Sequence, residues 1–371
     1  DQVLADHDLQ DSTITPNHSY EILWSDDNPY DLDLDNNGSC DIFHENDVPS
    51  GGDANYFPSA LADSVSDAYD NNSTFSIGNP NGHHQGFEAL SFTLDDWRSP
   101  TSIYDCSPHG GCDSGSANKT YVKLPAPRWI CRDDASLRLV VGHELFHHVQ
   151  YEAGLNNQWS GALVEGSARM MQDQVYSDLD GDAGSLATYR SQARNFLSNR
   201  TNDNLFHTSM LYDAALFWKY TSEQFGAWAP EPNLDTDFIR RLWDRAAEMS
   251  SNADLEELVE KTVQETHPEL SLNNIVQDFN IANIAKEYDV SNLNDGIKYL
   301  YQDLNDGVSG TLTNVPRRWD GKPNKNGTDT VNKWGARYYE ADLISCPNGI
   351  AGFSSIGDRA GYALLVIKDD D

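Results

Sequence analysis

Leu137-Arg-Leu-Val-Val-Gly-His-Glu-Leu-Phe-His-His-Val-Gln-Tyr151 places His143, Glu144 and His147 in the spacing His-Glu-x-x-His. Apolar residues at Leu137, Val140, Val141, Leu145 and Val149 recur at helical spacing, which predicts a helix with one buried side. Each helical residue turns about 100°, so side chains four apart differ by only ~40°. His143 and His147 therefore project from one face and can share a metal ion. Glu144 stands on the flank of that face, where a carboxylate serves as a base toward an activated water rather than as a ligand.

A third ligand is expected from Trp159-Ser-Gly-Ala-Leu-Val-Glu-Gly-Ser-Ala-Arg-Met-Met-Gln-Asp173, with Glu165 the leading candidate. Three protein ligands leave a fourth position open, which separates a catalytic zinc from a closed structural one. A carboxylate beside two imidazoles offsets half the charge of the ion and preserves its Lewis acidity. The small residues Gly166 and Ala168 predict close approach of this helix to the first one. Glu152 and Asp173 are the competing acids. Asp173 lies ~12 Å further along the helix, at 1.5 Å per residue, and is placed as a hydrogen-bond partner orienting a ligand histidine. His148 points ~100° away from His147 and is a poor ligand candidate.

Composition bounds the partners. The 59 acidic residues outnumber 25 basic ones, a formal net charge of −34. Such a surface repels nucleic acid and anionic lipid, so neither is an expected partner. Solubility in a salty medium or calcium binding explains the acidity more simply than a basic substrate does. No stretch approaches the ~18 apolar residues of a membrane span. The start at Asp1, with no signal segment, is what a processed product is expected to show. Five cysteines are too few for a disulfide-built scaffold and none forms a zinc-type pair. Cys106 and Cys112 flank a flexible Ser-Pro-His-Gly-Gly loop and are expected to be bridged, while Cys40, Cys131 and Cys346 stay open. An acidic chain with a local bridge points to a secreted, extracellular protein.

Upstream, Ser19–Trp24 reads as a strand. Asp31-Leu-Asp-Leu-Asp-Asn-Asn-Gly-Ser-Cys-Asp41 follows, with Asp33, Asp35, Asn37 and Asp41 as oxygen ligands for a calcium ion and Gly38 allowing a sharp turn. The EF-hand spacing is incomplete, since His44 stands where a bidentate glutamate belongs; a solvated acidic turn is the alternative. Ser59–Asp70 reads as a helix and Gly86–Leu94, Tyr121–Leu124 and Arg128–Cys131 as strands. The adjacent pair His83-His84 reads as exposed and idle. Asp178-Leu-Asp-Gly-Asp182 is a second acidic turn. From Ser185 to about Glu287 the pattern is helical, with apolar stripes in Leu211–Phe225, Phe238–Met249 and Leu255–Thr262. Beyond about Asn292 short β-type runs at Arg337–Leu343 and Tyr362–Ile367 predict a small β domain. The expected division is 1–135, an N-terminal part with the acidic loop; 136–290, the helical part with the metal site; and 291–371, the β domain.

His143-Glu-Leu-Phe-His-His-Val-Gln-Tyr151, Leu163-Val-Glu-Gly-Ser-Ala168, Asp173-Gln-Val-Tyr176 and Leu211-Tyr-Asp-Ala-Ala-Leu-Phe-Trp-Lys-Tyr220 together resemble secreted bacterial zinc metallopeptidases of the gluzincin type. The acidic loop at Asp31–Asp41 and Gly335-Ala-Arg-Tyr-Tyr339 also fit that layout, although only the central third carries specific motifs. The resemblance implies an α+β, zincin-like core, zinc held by His143, His147 and Glu165, and Glu144 as general base. It implies a protein or peptide substrate and leaves cleavage specificity open. One departure is a slightly shorter connection between His147 and Glu165 than in the best-known gluzincins. By analogy with zincin folds, substrate is expected along an edge strand near the helix, in the region of Tyr121–Leu124 and Arg128–Cys131. Tyr212, with His207 behind it, is the candidate donor to an oxyanion, a core tyrosine being the alternative. Rival readings are a cell-surface binding protein or adhesin that keeps a metal site without turnover, and a glycoprotein-selective protease using its β domain. A monomer is expected.

Overall fold

The computed structural model describes residues 11–14, 20–24, 30–32, 41–43, 101–105, 116–117, 121–124, 134–153, 159–176, 188–226, 237–249, 254–285 and 332–338, the strands by their backbone alone. Seven strands are described: β1 Asp11–Ile14, β2 Tyr20–Trp24, β3 Tyr30–Leu32, β4 Asp41–Phe43, β5 Thr101–Asp105, β6 Ser116–Ala117 and β7 Tyr121–Leu124. Five form a sheet in the order β1-β2-β5-β7-β6, while β3 and β4 form a separate antiparallel pair. The central neighbours β2, β5 and β7 run parallel, and β1 and β6 close the two ends antiparallel. The free edge beside β7 is therefore taken by β6, with Ser116 opposite Lys123 and Ala117 opposite Val122. That pairing covers Val122 and Lys123 alone, and Arg128–Cys131, the other half of the region expected to take substrate, lies outside the described residues.

Helix α1, Asp134–Glu152, lies against β6 and β7 on one side and against α2, Gly161–Val175, on another. The expected single buried side is too modest: every residue from Leu139 to Gln150 is buried, including His143, Glu144, His147, His148 and Gln150. A helix enclosed by a sheet edge and a second helix has no solvent face left, so its polar side chains must find partners inside. Close approach of the two helices is made at Gly142, where a methyl group would sit 3.1 Å from Tyr176 Cε2. Gly166 has a different neighbour from the one expected. A Cβ there would lie 2.8 Å from Trp218 Nε1 and 3.0 Å from Ala214 Cβ, so it admits the elements that follow, not α1.

Downstream come α3 Tyr189–Asn195 running into a π-helical turn at Phe196–Arg200, a 3-10 segment Thr208–Ala214, α4 Ala215–Phe225, α5 Asp237–Glu248, α6 Leu255–Gln264 and α7 Leu272–Ala285. Thr188 and Ser191 start α3 with a reciprocal capping box that satisfies two otherwise orphaned donors. The predicted helix at Leu211–Phe225 begins only at Ala215, because Leu211 breaks the geometry with φ 40° and ψ −123°. The core between α2, α4 and α7 is aromatic: Phe217 meets Phe279 at 5.2 Å and Phe206 at 5.4 Å between ring centroids. Lys219 Nζ and Asp173 Oδ2 form an ion pair at 3.0 Å, fully enclosed between α4 and α2.

In the C-terminal region residues 332–338 are described and carry no strand; they run over the helical core. Ala336 N donates to Thr201 O, Trp334 meets Phe206 at 6.1 Å, and the Tyr338 hydroxyl reaches Asn280 O at 3.2 Å. Gly335 is required there, since a Cβ would stand 2.6 Å from Asn202 O. The rest of the expected β domain lies outside the described residues, as do His83-His84, Asp178–Asp182, the five cysteines and the predicted elements at 59–70, 86–94 and 128–131. Among the described residues no helix is long and apolar enough to cross a membrane.

Candidate metal centre

The helical spacing in α1 brings the two imidazoles together: His143 Nε2 and His147 Nε2 are 3.1 Å apart, the rings nearly perpendicular. Glu165 enters from the second turn of α2, its Oε2 lying 3.4 Å from His143 Nε2 and 3.5 Å from His147 Nε2. Among the described residues these three form the group of histidines and acids whose ligand atoms converge. Glu152 ends α1, and its side chain lies outside the described ones.

These distances suit a tetrahedral ion. Zinc bonds to nitrogen and oxygen of about 2.0–2.1 Å separate neighbouring ligand atoms by about 3.3–3.4 Å, the edge of the tetrahedron. Three edges of 3.1, 3.4 and 3.5 Å therefore describe one face of such a site, with the remaining corner unclaimed. The donor set, two imidazoles and one carboxylate, is the set a catalytic zinc takes.

Gln150, one turn beyond His147, completes the pattern and was not anticipated. Its amide NH₂ donates to Val164 O at 2.9 Å and to Ser167 Oγ at 3.0 Å, both on α2. That fixes the amide orientation, so Oε1 accepts from His147 Nδ1 at 2.8 Å. A hydrogen bond donated from Nδ1 leaves the Nε2 lone pair for a metal. Its i+3 spacing from His147 on a helix was the available signal. Asp173, expected in the orienting role, carries the ion pair to Lys219, and the group holding His147 Nδ1 is Gln150.

Electrostatics separate the two histidines. Burial pushes His143 down to about 3, so it is neutral. Burial also opposes charge on His147, but hydrogen bonding to Glu165 and the carboxylates Glu144 and Glu165 outweigh it and raise it to about 9. For Glu165 the same burial is overcome by hydrogen bonds from both imidazoles, which hold its carboxyl well below the usual range. Glu144 is enclosed, and burial lifts it to about 7, where a carboxylate exchanges protons readily at neutral pH.

The 3-10 segment supplies the remaining wall. The Tyr212 ring stands 5.7 Å from the His143 ring, half-buried, and the Arg169 guanidinium carbon lies 4.7 Å from its centroid. Burial first, then the charge of Glu165, push the phenol up to about 12, so it is a donor at working pH. Asp213, the next residue, is tied down by Asn195 Nδ2 at 2.8 Å and Arg200 Nη1 at 2.6 Å. Arg169 was missed, although its place one turn after Glu165 on α2 was legible. His207 is exposed and its Nδ1 accepts from Ser209 N at 3.2 Å, capping the 3-10 segment. Among the described residues no hydrogen bond or ring contact joins His207, the second candidate donor after Tyr212, to the three converging ligands. Of the calcium candidates, Asp33, Asp35 and Asn37 lie outside the described residues; Asp41 begins β4, its backbone paired with Leu32.

No protein-family model, curated protein or solved structure matches this chain.

Proposed function

We propose that the chain is a zinc-dependent peptidase with a zincin-like catalytic part, its ion held by His143, His147 and Glu165. The observation that carries this reading is the tetrahedral face formed by those three ligand atoms, with a buried carboxylate, Glu144, one residue from the first ligand. When bound, zinc supplies Lewis acidity toward water and toward a carbonyl. Glu144 takes a proton from water as the water oxygen joins the carbonyl carbon, and returns it to the nitrogen as the C–N bond breaks. Tyr212 donates its phenolic hydrogen bond to the oxygen on which charge develops. Gln150 holds His147 in the ligating tautomer throughout.

The test uses the purified full chain, loaded with zinc and incubated with a diverse peptide mixture whose new termini are identified. Wild type should cleave, and Glu144→Gln should keep stoichiometric zinc while losing turnover by roughly 10²–10⁴-fold, the worth of a general base. Zinc retained by both forms without any cleavage would instead mark a binding module, the adhesin-type alternative. Absence of zinc binding by wild type would remove the reading altogether.

A further inference from the structure

Leu211 breaks two rules of protein architecture at once. Its backbone, φ 40° and ψ −123°, occupies the corner that a type II′ turn reserves for glycine. The residue is 42 % exposed, and among the described residues it is the exposed large hydrophobic one. Neither property helps the chain fold, and combinations of this kind concentrate at ligand-binding sites.

Its surroundings say which ligand. Leu211 directly precedes Tyr212, and its Cδ2 sits so close to Gly161 that a Cβ there would meet it at 2.4 Å. Gly161 is one turn before Glu165 on α2, and Arg169 one turn after. Leu211 thus packs at Gly161 and Arg169 lies 4.7 Å from the Tyr212 ring centroid, one turn before and one turn after Glu165 along α2. Glu165 itself is 29 % exposed, so this is the open side of the cluster, whereas His143 and His147 are enclosed. If the site cleaves a peptide, an aliphatic side chain at this open edge is placed to meet a substrate residue near the cleaved bond.

Resting on the peptidase reading, we infer that Leu211 is a specificity-determining residue that selects an apolar side chain adjacent to the scissile bond. Its strained backbone holds the isobutyl group over Gly161, half-exposed on the open side of the cluster.

Leu211→Gly removes the side chain but suits the backbone angle, so it tests the side chain alone. For zinc-loaded protein and peptides differing only in the residue beside the cleaved bond, the ratio of kcat/KM for leucine over glycine should fall about tenfold, the worth of an apolar subsite contact. Leu211→Met should retain that ratio. The same leucine and glycine peptides, titrated by calorimetry onto the Glu144→Gln form with and without Leu211→Gly, should show a matching loss in binding preference. Cleavage with an unchanged ratio overturns this inference and leaves the peptidase reading standing; wild type that cleaves no peptide overturns both. A melting temperature that drops in Leu211→Gly assigns the side chain to packing and also overturns the inference, while an unchanged or higher one supports it.

Discussion

At His147 a proton and a metal ion compete for one nitrogen. Without metal the ring is raised to about 9 and carries a proton at neutral pH, whereas His143, lowered to about 3, carries none. Ligation requires the unprotonated ring, so zinc uptake must expel the His147 proton wherever the pH lies below about 9. Apparent zinc affinity should thus rise about tenfold per pH unit through neutrality and level off above about 9, with roughly one proton released per ion. Competition titrations at several pH values, and calorimetry in buffers of different ionisation enthalpy, measure both; an affinity independent of pH would discard the assignment of His147 as protonated partner of Glu165. The linkage to stability has the opposite slope. A histidine raised above its ordinary 6.5 stabilises the metal-free fold fully below that value and loses the contribution as pH rises through about 9. Glu165, held below its ordinary 4.5, contributes above that value and loses the contribution in acid. The chelated protein should therefore gain most from this cluster between about pH 4.5 and 6.5.

Two helices and one short turn make the site, and Gln150 is the cross-link between the helices. Its amide spans from His147 on α1 to Val164 O and Ser167 Oγ on α2, so a single side chain sets both a tautomer and the spacing of the elements. Gln150→Ala should weaken zinc binding by ~10–100-fold, as loss of a ligand-orienting group does, with the ligands still present. Gln150→Glu, which keeps the acceptor, should retain more affinity than alanine despite losing a donor; equal affinities for wild type and Gln150→Ala would show that α1 and α2 hold their register without it. What was legible here followed from local periodicity. His143 and His147 share a face because four residues make about one turn, and Glu165 follows on a helix whose pattern is as plain. The neighbours of Gly166 were not legible, because a small residue announces close approach without naming the element that approaches. Nor was the start of α4, since nothing in the sequence marks Leu211 for a glycine-type backbone. A strained residue of this sort costs of order 1–3 kcal/mol and persists only when its surroundings over-determine it. Asn195 and Arg200 on Asp213 are part of that restraint, from a stretch of chain that periodicity reads merely as helix.

Across the whole molecule, contacts distant in sequence were the least legible. Gly335 and Trp334 looked like a segment of a separate β domain, yet they lie on Asn202 and Phe206, just ahead of the turn that carries Tyr212. The buried pair Lys219–Asp173 likewise joins two helices that each read as ordinary amphipathic elements. Net charge, by contrast, is a whole-molecule property that composition states outright, and it carries a consequence for stability. With a formal charge of −34 the compact state concentrates a large excess of like charge, which disfavours folding. Against this stand exposed ion pairs such as Arg240–Asp244 and Lys261–Glu257, each with a contribution of about 0–1 kcal/mol. Salt screens both effects, since the Debye length falls from about 30 Å at 0.01 M to about 3 Å at 1 M. Long-range repulsion among many unpaired acids is lost first, while buried Lys219–Asp173 is little affected, so the net result has a definite direction. Raising sodium chloride from about 0.01 M to about 1 M should increase the melting temperature of the full chain, most steeply at the low end where the screening length changes most. A melting temperature that falls over this range would mean that surface ion pairs, and not the acidic excess, dominate the electrostatics of the fold.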